Sequence, residues 1–156
     1  MLNTLSIILF WEDKLLTDSD LRILRIMEED GTLSYADIGR RLGLDESTVR
    51  KRIIRLKDGG VIKKMSVVID PDKIGMRSTA IVGIDADPIH LLKIGQKLKA
   101  LPEVKYVALT TGDHMLMIEI WSRDGQELST ILLNRIASIE GVKKVCPSMV
   151  LEKLKG

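Results

Sequence analysis

One predicted helix carries side chains whose types and spacing could bind an anionic polymer. Residues 46–57 form an amphipathic pattern in which Val49, Ile53 and Leu56 share one apolar face. The other face carries side chains that donate hydrogen bonds to phosphates and to base edges, namely Ser47, Thr48, Arg50, Lys51 and Arg55, with Arg52 on its flank. This combination predicts a helix that binds double-stranded DNA.

The segment before this helix decides between that interpretation and an ordinary solvated helix surface. Ser34 and Asp37 are spaced as a capping box at the start of a short helix over residues 35–42. Gly43-Leu44 then reads as a tight turn, and Asp45 is a good N-cap for the second helix. Two short helices joined in this way predict a helix-turn-helix, whose second helix can lie in the DNA major groove.

The charge of this region is strongly local. Nine basic residues lie between positions 40 and 64, opposed by three acidic ones, while the net charge of all 156 residues is only +2. The basic residues are Arg40, Arg41, Arg50, Lys51, Arg52, Arg55, Lys57, Lys63 and Lys64. We therefore include Arg40 and Arg41 among the candidate DNA-binding residues and expect no non-specific polycation. Attraction to phosphate predicts affinity and not a target sequence.

Composition excludes several other classes of protein. With 45% apolar and 29% charged residues, the chain is typical of one mid-sized or two small globular domains. Cys146 is the single cysteine, so no internal disulfide can form, and we expect an intracellular, cytoplasmic protein in which this thiol is buried and structural. The sequence contains no metal-ligand spacing, acid–base pair or phosphate-binding glycine motif, so we predict no catalytic residues, no metal, no cofactor and no enzyme.

An apolar run from Leu5 to Trp11 stands out near the N-terminus. It is too short to span a bilayer, which needs about 20 residues, and it lacks the basic region and cleavage site of a signal peptide. Two explanations remain, a strand or helix that packs on a partner subunit, or an incorrectly assigned translation start. We expect no membrane partner.

A third helix and a linker complete the N-terminal part of the chain. Thr17 and Asp20 open a helix over residues 18–30, for which Leu21, Leu24 and Met27 form the expected inward face. Val61–Ile69 alternates loosely and predicts a strand that serves as a wing or as a tether. The predicted boundaries are an N-terminal extension at 1–16, a helix-turn-helix domain at 17–64, a linker strand and turn at 65–76, and a second domain at 77–156.

The second domain alternates strands and helices in the order βαββαβ. The predicted strands cover residues 78–85, 104–111, 115–121 and 142–151, and the predicted helices cover 88–101 and 125–139. This order is that of the ferredoxin-like fold, an antiparallel sheet with both helices on one face. Residues 115–118 are apolar on both sides, so we expect a second subunit to cover the other face of the sheet. The predicted fold class is α+β, with an N-terminal (winged) helix-turn-helix and a C-terminal ferredoxin-like domain.

An ordered set of short motifs resembles the Lrp/AsnC family, the leucine-responsive or feast/famine regulators of bacteria and archaea. The set spans about Leu16 to Leu154 and comprises residues 20–24 (DLRIL), 42–44 (LGL), 60–62 (GVI), 70–75 (DPDKIG), 111–113 (TGD) and 141–142 (GV). The resemblance implies a DNA-binding transcription regulator whose C-terminal domain forms dimers and higher even-numbered oligomers. It also implies an amino acid or related small molecule as effector, bound near the tip of the hairpin.

The resemblance places the effector site on residues Thr111, Gly112, Asp113, His114 and Met115. Family members usually have Gly-Asp-x-Asp at this tip, and Met115 replaces the second carboxylate. That substitution removes a charged hydrogen-bond acceptor. Ile54 is a second departure, because members often carry a basic residue on this outward side of the helix. It could touch a thymine methyl group or pack against the apolar N-terminal extension.

Two other functions use the same fold. An architectural DNA-binding protein would use the same helix with little sequence preference and no effector, and the missing carboxylate favours it. Some relatives of this architecture are siroheme-decarboxylase-like enzymes, in which a histidine such as His114 would matter. The basic recognition helix argues against an enzyme, because an enzyme has no use for it.

Overall fold

A computed structural model describes residues 16–154 of the chain. The apolar run at Leu5–Trp11, and with it the predicted packing of the N-terminal extension, lies outside the described residues. The chain divides into two compact units between Val67 and Val68, within the segment predicted as linker. The two units are described separately below.

In its described residues, 16–67, the N-terminal unit contains three helices in the predicted order. They are α1 (Asp18–Glu29), α2 (Tyr35–Leu42) and α3 (Glu46–Asp58). Thr17 and Ser34 cap α1 and α2 with their side-chain oxygens, as their spacing predicts. Ile23, Ile38, Val49 and Ile53 form a fully buried core, and with Leu56 also buried the apolar face predicted for α3 is confirmed.

The inward face predicted for α1 is wrong in part. Leu21 is 42% exposed, whereas Asp20 and Ile23 are fully buried. Ile26 and Met27 pack partly against the same core. The helix is therefore rotated relative to the prediction, because the carboxylate of Asp20 finds partners inside the unit and can occupy an inward position.

The strand predicted over Val61–Ile69 is also wrong, because no residue in this segment has strand hydrogen bonds within residues 16–154. Most of its apolar side chains point to solvent, and Val67 and Val68 are 79% and 82% exposed. Ile62 is the exception in this segment, because it packs partly against the core of the N-terminal unit. Alternation of apolar residues indicates a strand only if another strand offers its edge. Such an edge is absent from the described part of this single chain.

The C-terminal unit contains a four-stranded antiparallel sheet. The strands are β1 (Ser78–Ala86), β2 (Val104–Leu109), β3 (Leu116–Ser122) and β4 (Val142–Met149), and they lie in the order β2-β3-β1-β4. The helices α4 (Leu91–Lys99) and α5 (Gly125–Ile131) connect β1 to β2 and β3 to β4. This is the predicted ferredoxin-like βαββαβ fold.

Both helical connections are less regular than predicted. The first begins with a 3-10 turn at Pro88–His90, and α5 continues as a π-helical turn at Leu132–Ile136. Each connection nevertheless buries one apolar face, because Ile94, Leu98, Leu128 and Ile136 lie in the core. The wider π turn changes the hydrogen-bonding pattern and keeps Ile136 in the core.

The sheet has one core face and one open face. Alternate residues of β1 and β3 are buried in the core, including Val82 and Ile118. The open face carries the intervening residues, which are Thr79, Ile81, Gly83 and Asp85 of β1, Met117, Glu119 and Trp121 of β3, and Tyr106 of β2. The strand predicted to reach residue 151 ends at Met149, and Met149 and Leu151 are 51% and 98% exposed. Cys146 is half-buried, not fully buried as expected.

Candidate nucleic-acid interface and effector site

The turn between α2 and α3 fixes the angle between the two helices. Gly43 has a positive φ of 67°, a conformation that glycine adopts without a steric penalty. A Cβ atom on Gly39 would lie 2.4 Å from the carbonyl oxygen of Leu44. Glycine at position 39 is therefore what allows α2 to approach the start of α3. Asp45 precedes α3 as predicted, but its side chain makes no capping hydrogen bond.

The candidate DNA-binding residues lie on the exposed side of α3. Val49, Ile53 and Leu56 are buried, and the residues on the opposite side are exposed, namely Ser47, Arg50, Lys51, Ile54 and Arg55. Thr48 and Arg52 are half-buried at the two margins. The structure thus brings the sequence-predicted α3 residues onto one continuous surface, which we call the recognition face.

Asp20 of α1 organises one side of the recognition face. Its carboxylate accepts hydrogen bonds from Arg52 Nη1 at 3.0 Å and from Arg55 Nη2 at 2.5 Å. The same carboxylate accepts from the Thr17 backbone N–H at 2.8 Å, completing the capping box of α1. One buried group therefore closes the start of α1 and holds two arginines of α3.

The pKa of Asp20 reflects this arrangement. Burial by itself raises the pKa, but the hydrogen bonds from Thr17 and Arg52 and the charge of Arg55 outweigh it and lower the pKa from 3.8 to about 2. The carboxylate is therefore ionised at neutral pH. A buried charge of this kind is tolerated because it is paired and hydrogen-bonded.

Arg50 is held by two neighbours on the other side of the recognition face. Glu46, one turn earlier in α3, accepts a hydrogen bond from Arg50 Nη2 at 2.8 Å. The guanidinium carbon lies 5.4 Å from the centroid of the Tyr35 ring, a cation–π contact. These contacts restrict the Arg50 side chain before any partner binds.

The two candidate arginines of α2 differ in their surroundings. Arg40 forms an ion pair with Asp37 one turn earlier, and both side chains reach the surface. Arg41 is exposed. Both lie in the last turn of α2, where a positive charge also suits the helix dipole.

The candidate effector residues lie between β2 and β3. Thr111, Gly112 and Asp113 are exposed, and Gly112 has a positive φ of 115°. His114 is the anchored member of the group, because its Nδ1 lies 2.9 Å from Asp85 Oδ1 in β1. Its ring lies directly against Gly83, where a Cβ atom would come within 2.0 Å of the imidazole. Met115 is 36% exposed.

Sequence reasoning missed several residues of these sites. Asp20 was recognised only as a cap, and Gly83 and Asp85 were not considered at all. Tyr35 was not among the candidate residues, although its ring lies against the Arg50 guanidinium. The capping-box spacing was the one local signal available for Asp20, since its arginine partners lie 32 and 35 residues away.

Comparison with known proteins defines the class. Residues 16–57 match the family model of the AsnC-type helix-turn-helix domain, and residues 79–156 match that of the Lrp/AsnC ligand binding domain. The HTH-type transcriptional regulator LrpA of Pyrococcus horikoshii is 40% identical over 141 residues, covering 90% of this chain and all of that protein. The regulator LrpA1 of Halobacterium salinarum is 38% identical over 134 residues, covering 86% and 94% of the two chains.

Solved structures agree with this class. An AsnC family transcriptional regulator from Agrobacterium tumefaciens superposes with a TM-score of 0.79 at 26% identity, covering 90% of this chain and 94% of that one. A transcriptional regulator from Neisseria meningitidis, solved as an L-Met complex, has the same fold with a TM-score of 0.83 at 22% identity, covering 91% and 94%. The chain belongs to the Lrp/AsnC family and is a DNA-binding transcriptional regulator.

The remaining sequence expectations concern enzymes, metals and membranes. The relatives named above are regulators, in line with a chain that is not an enzyme. Within residues 16–154, no three His, Cys, Asp or Glu side chains are grouped so that they could hold a metal ion. None of the helices in this part of the chain has the length and apolar character needed to cross a membrane.

Proposed function

We propose that this regulator places α3 of two protomers in adjacent major-groove half-sites of its DNA target. The recognition face carries the proposal, because it is exposed, basic and held from behind by the buried core of the unit. Ser47, Arg50 and Lys51 are the proposed base readers. Paired helices in a symmetric dimer require half-sites about one helical turn apart, or a multiple of it.

The arginines that are paired within the protein have a positioning role in this proposal. Arg55 uses Nη2 to bind Asp20 and is 56% exposed at its side chain. Its remaining N–H groups can donate hydrogen bonds to a phosphate. We assign the same role to Thr48 and Arg52 at the margins of the recognition face, and to Arg40 and Arg41 of α2. Phosphate contacts of this kind set the orientation of the protein on the duplex, and base contacts select the sequence.

The open face of the sheet is the proposed dimer interface. Ile81, Met117, Trp121 and Tyr106 provide apolar surface around Glu119, which lies opposite Ile81 in the sheet, and Ile81 is 44% exposed. The core face of the same sheet is covered by α4 and α5. A second copy of the same face would cover this surface through an isologous contact. Association of such dimers would give the higher even-numbered oligomers implied by the family.

The hairpin tip is the proposed effector site, formed by residues 111–115. The contacts of His114 with Asp85 and Gly83 give the tip one ordered side chain, beside the exposed backbone of Gly112. The Neisseria meningitidis regulator of the same fold was solved with L-Met. We propose an amino acid for this chain too, recognised without the second carboxylate that Met115 replaces.

Selection of bound duplexes from a random-sequence pool tests the proposed function. The pool is incubated with full-length protein at fixed, near-physiological salt, with and without a mixture of amino acids. A palindromic consensus is expected, and a change in affinity or consensus with amino acids supports the effector site. Binding without a consensus would favour an architectural protein, and absence of binding would contradict the proposal. Equilibrium dialysis without uptake of any amino acid would contradict the effector site.

A further inference from the structure

Ile54 is an apolar side chain near the centre of the recognition face. It is 50% exposed, although its neighbours on that face are polar or charged. At about 100° per residue, Ile54 lies within about 20° of Ser47 and about 60° of Lys51 around the α3 axis. Of the buried residues, Val49 and Leu56 lie about 140° and 160° from Ile54, and Ile53 about 100° from it.

A single exposed isoleucine is common on protein surfaces and needs no explanation by itself. Ile54 differs from such a residue in its position, because it lies among the proposed base readers Ser47, Arg50 and Lys51. A β-branched residue is also a weaker helix former than the Lys or Arg residues around it. Helix stability and solubility therefore give no reason for isoleucine at this position.

We propose that Ile54 reads a thymine by contact with its 5-methyl group. The thymine methyl is the one apolar group that a base pair displays in the major groove. The proposed base readers Arg50 and Lys51 flank Ile54, so contacts of these two side chains with base edges would bring Ile54 close to a base pair. An aliphatic side chain there would bury the methyl group. This inference rests on the proposed placement of α3 in the groove and names a specificity-determining residue within it.

The experiment removes the 5-methyl group from the DNA and shortens the side chain at position 54 of the protein. Each thymine of the selected consensus duplex is replaced singly by deoxyuridine, which lacks only the 5-methyl group. Affinities are measured for the wild-type protein, Ile54→Ala and Ile54→Val. We expect each half-site to contain one thymine at which this replacement matters. Replacing it should lower the affinity of the wild type about fourfold, which corresponds to the burial of one methyl group. In Ile54→Ala the same replacement is expected to have no effect.

Several results would overturn the inference. Equal losses in wild type and Ile54→Ala would show that the methyl group and Ile54 act independently. No sensitive thymine, or no consensus at all, would also exclude thymine reading by this residue. Ile54→Ala could also have a lower unfolding midpoint while deoxyuridine affects the wild type and the variant equally. That result would show that Ile54 packs within the protein.

The failure of this inference is distinguishable from failure of the proposed function. If the wild type binds a consensus but shows no coupling, α3 can still be the recognition helix and only the role of Ile54 is wrong. If neither the wild type nor the Ile54 variants bind duplex DNA, the proposed function and the role of Ile54 fail together. Ile54→Val keeps the helix and part of the side chain, and it is expected to retain most of the coupling.

Discussion

At the scale of single residues, the carboxylate of Asp20 connects α1 to α3. It is fully buried and binds Arg52, Arg55 and Thr17. Removing the charge from such a cluster leaves the arginines without their partner. This cost is larger than for an exposed ion pair, which contributes about 0–1 kcal/mol.

We expect Asp20→Asn to lower the free energy of unfolding by about 1–3 kcal/mol. Asp37→Asn is the matched control, because Asp37 occupies the equivalent capping position of α2 but reaches solvent with its partner Arg40. Asp37→Asn should lower the free energy of unfolding clearly less than Asp20→Asn does. Urea unfolding of the two variants at neutral pH measures both values, and equal losses would contradict the role of Asp20.

The pH dependence of stability gives a second test of Asp20. Because its pKa is lower in the folded protein, about 2 against 3.8, the carboxylate stabilises the fold fully above about pH 4. This contribution is lost as the pH falls from about 4 towards 2. The difference in unfolding free energy between wild type and Asp20→Asn should therefore shrink over that range. A difference that stays constant would show that the charge of Asp20 is not responsible.

DNA recognition by Arg50 and Lys51 is tested at the same scale. Replacing either with Ala should weaken binding by about 1–3 kcal/mol if the contact is to a base, and should relax sequence choice. Lys97→Ala, in the exposed part of α4, removes the same charge from the other unit and should have little effect on either property. A gel-shift titration with the consensus and a scrambled duplex measures both. Unchanged binding in both α3 variants would exclude them as readers.

At the scale of elements, the α2–α3 connection is what presents the recognition face. The helices are joined by only three residues, and α2 contacts the backbone of the turn at Gly39. This close approach leaves no volume for a side chain. A change there should disturb the angle between the helices without touching any DNA-binding residue.

We expect Gly39→Ala to destabilise the N-terminal unit by about 2 kcal/mol, because the new Cβ atom would overlap the Leu44 carbonyl oxygen. Gly31→Ala is the control, since its Cβ would lie at an ordinary 3.6 Å from the Met27 carbonyl oxygen. Thermal unfolding followed by circular dichroism compares the two. Equal stability would mean that the turn can relax around the added methyl group.

At the scale of the whole molecule, the open face of the sheet governs assembly in our proposal. Interfaces of stable complexes bury about 1,200–2,000 Å² in total, and the open face offers a broad surface with apolar residues around Glu119. The exposed leucines and isoleucines on the helices lie on the other side of the C-terminal unit. Leu92 on α4 is one of these and is 72% exposed.

We expect Ile81→Asp to convert dimers into monomers, because a second carboxylate opposite Glu119 would be buried in the interface without a positive partner. Leu92→Asp places the same charge on α4 and should leave the dimer intact. Sedimentation velocity over a range of concentrations separates the two outcomes. Dimers that persist in Ile81→Asp would place the interface elsewhere.

Patterns within a few residues determined much of this protein from its sequence alone. Capping pairs three residues apart, the 3.6-residue apolar period and the turn glycines predicted the three helices and the βαββαβ order. They also predicted which α3 side chains are exposed. These features depend on local hydrogen bonds and on the burial of one face, both of which are visible in a short stretch of chain.

Contacts between distant segments were decided only by the tertiary structure. The pairing of Asp20 with Arg52 and Arg55 spans 32 and 35 residues, and that of His114 with Asp85 spans 29. Whether a carboxylate is buried, or an alternating segment such as Val61–Ile69 becomes a strand, depends on the partners that the fold brings to it. Local periodicity does not reveal those partners. The groups that stabilise a buried charge or pair with a strand edge lie far away in the sequence.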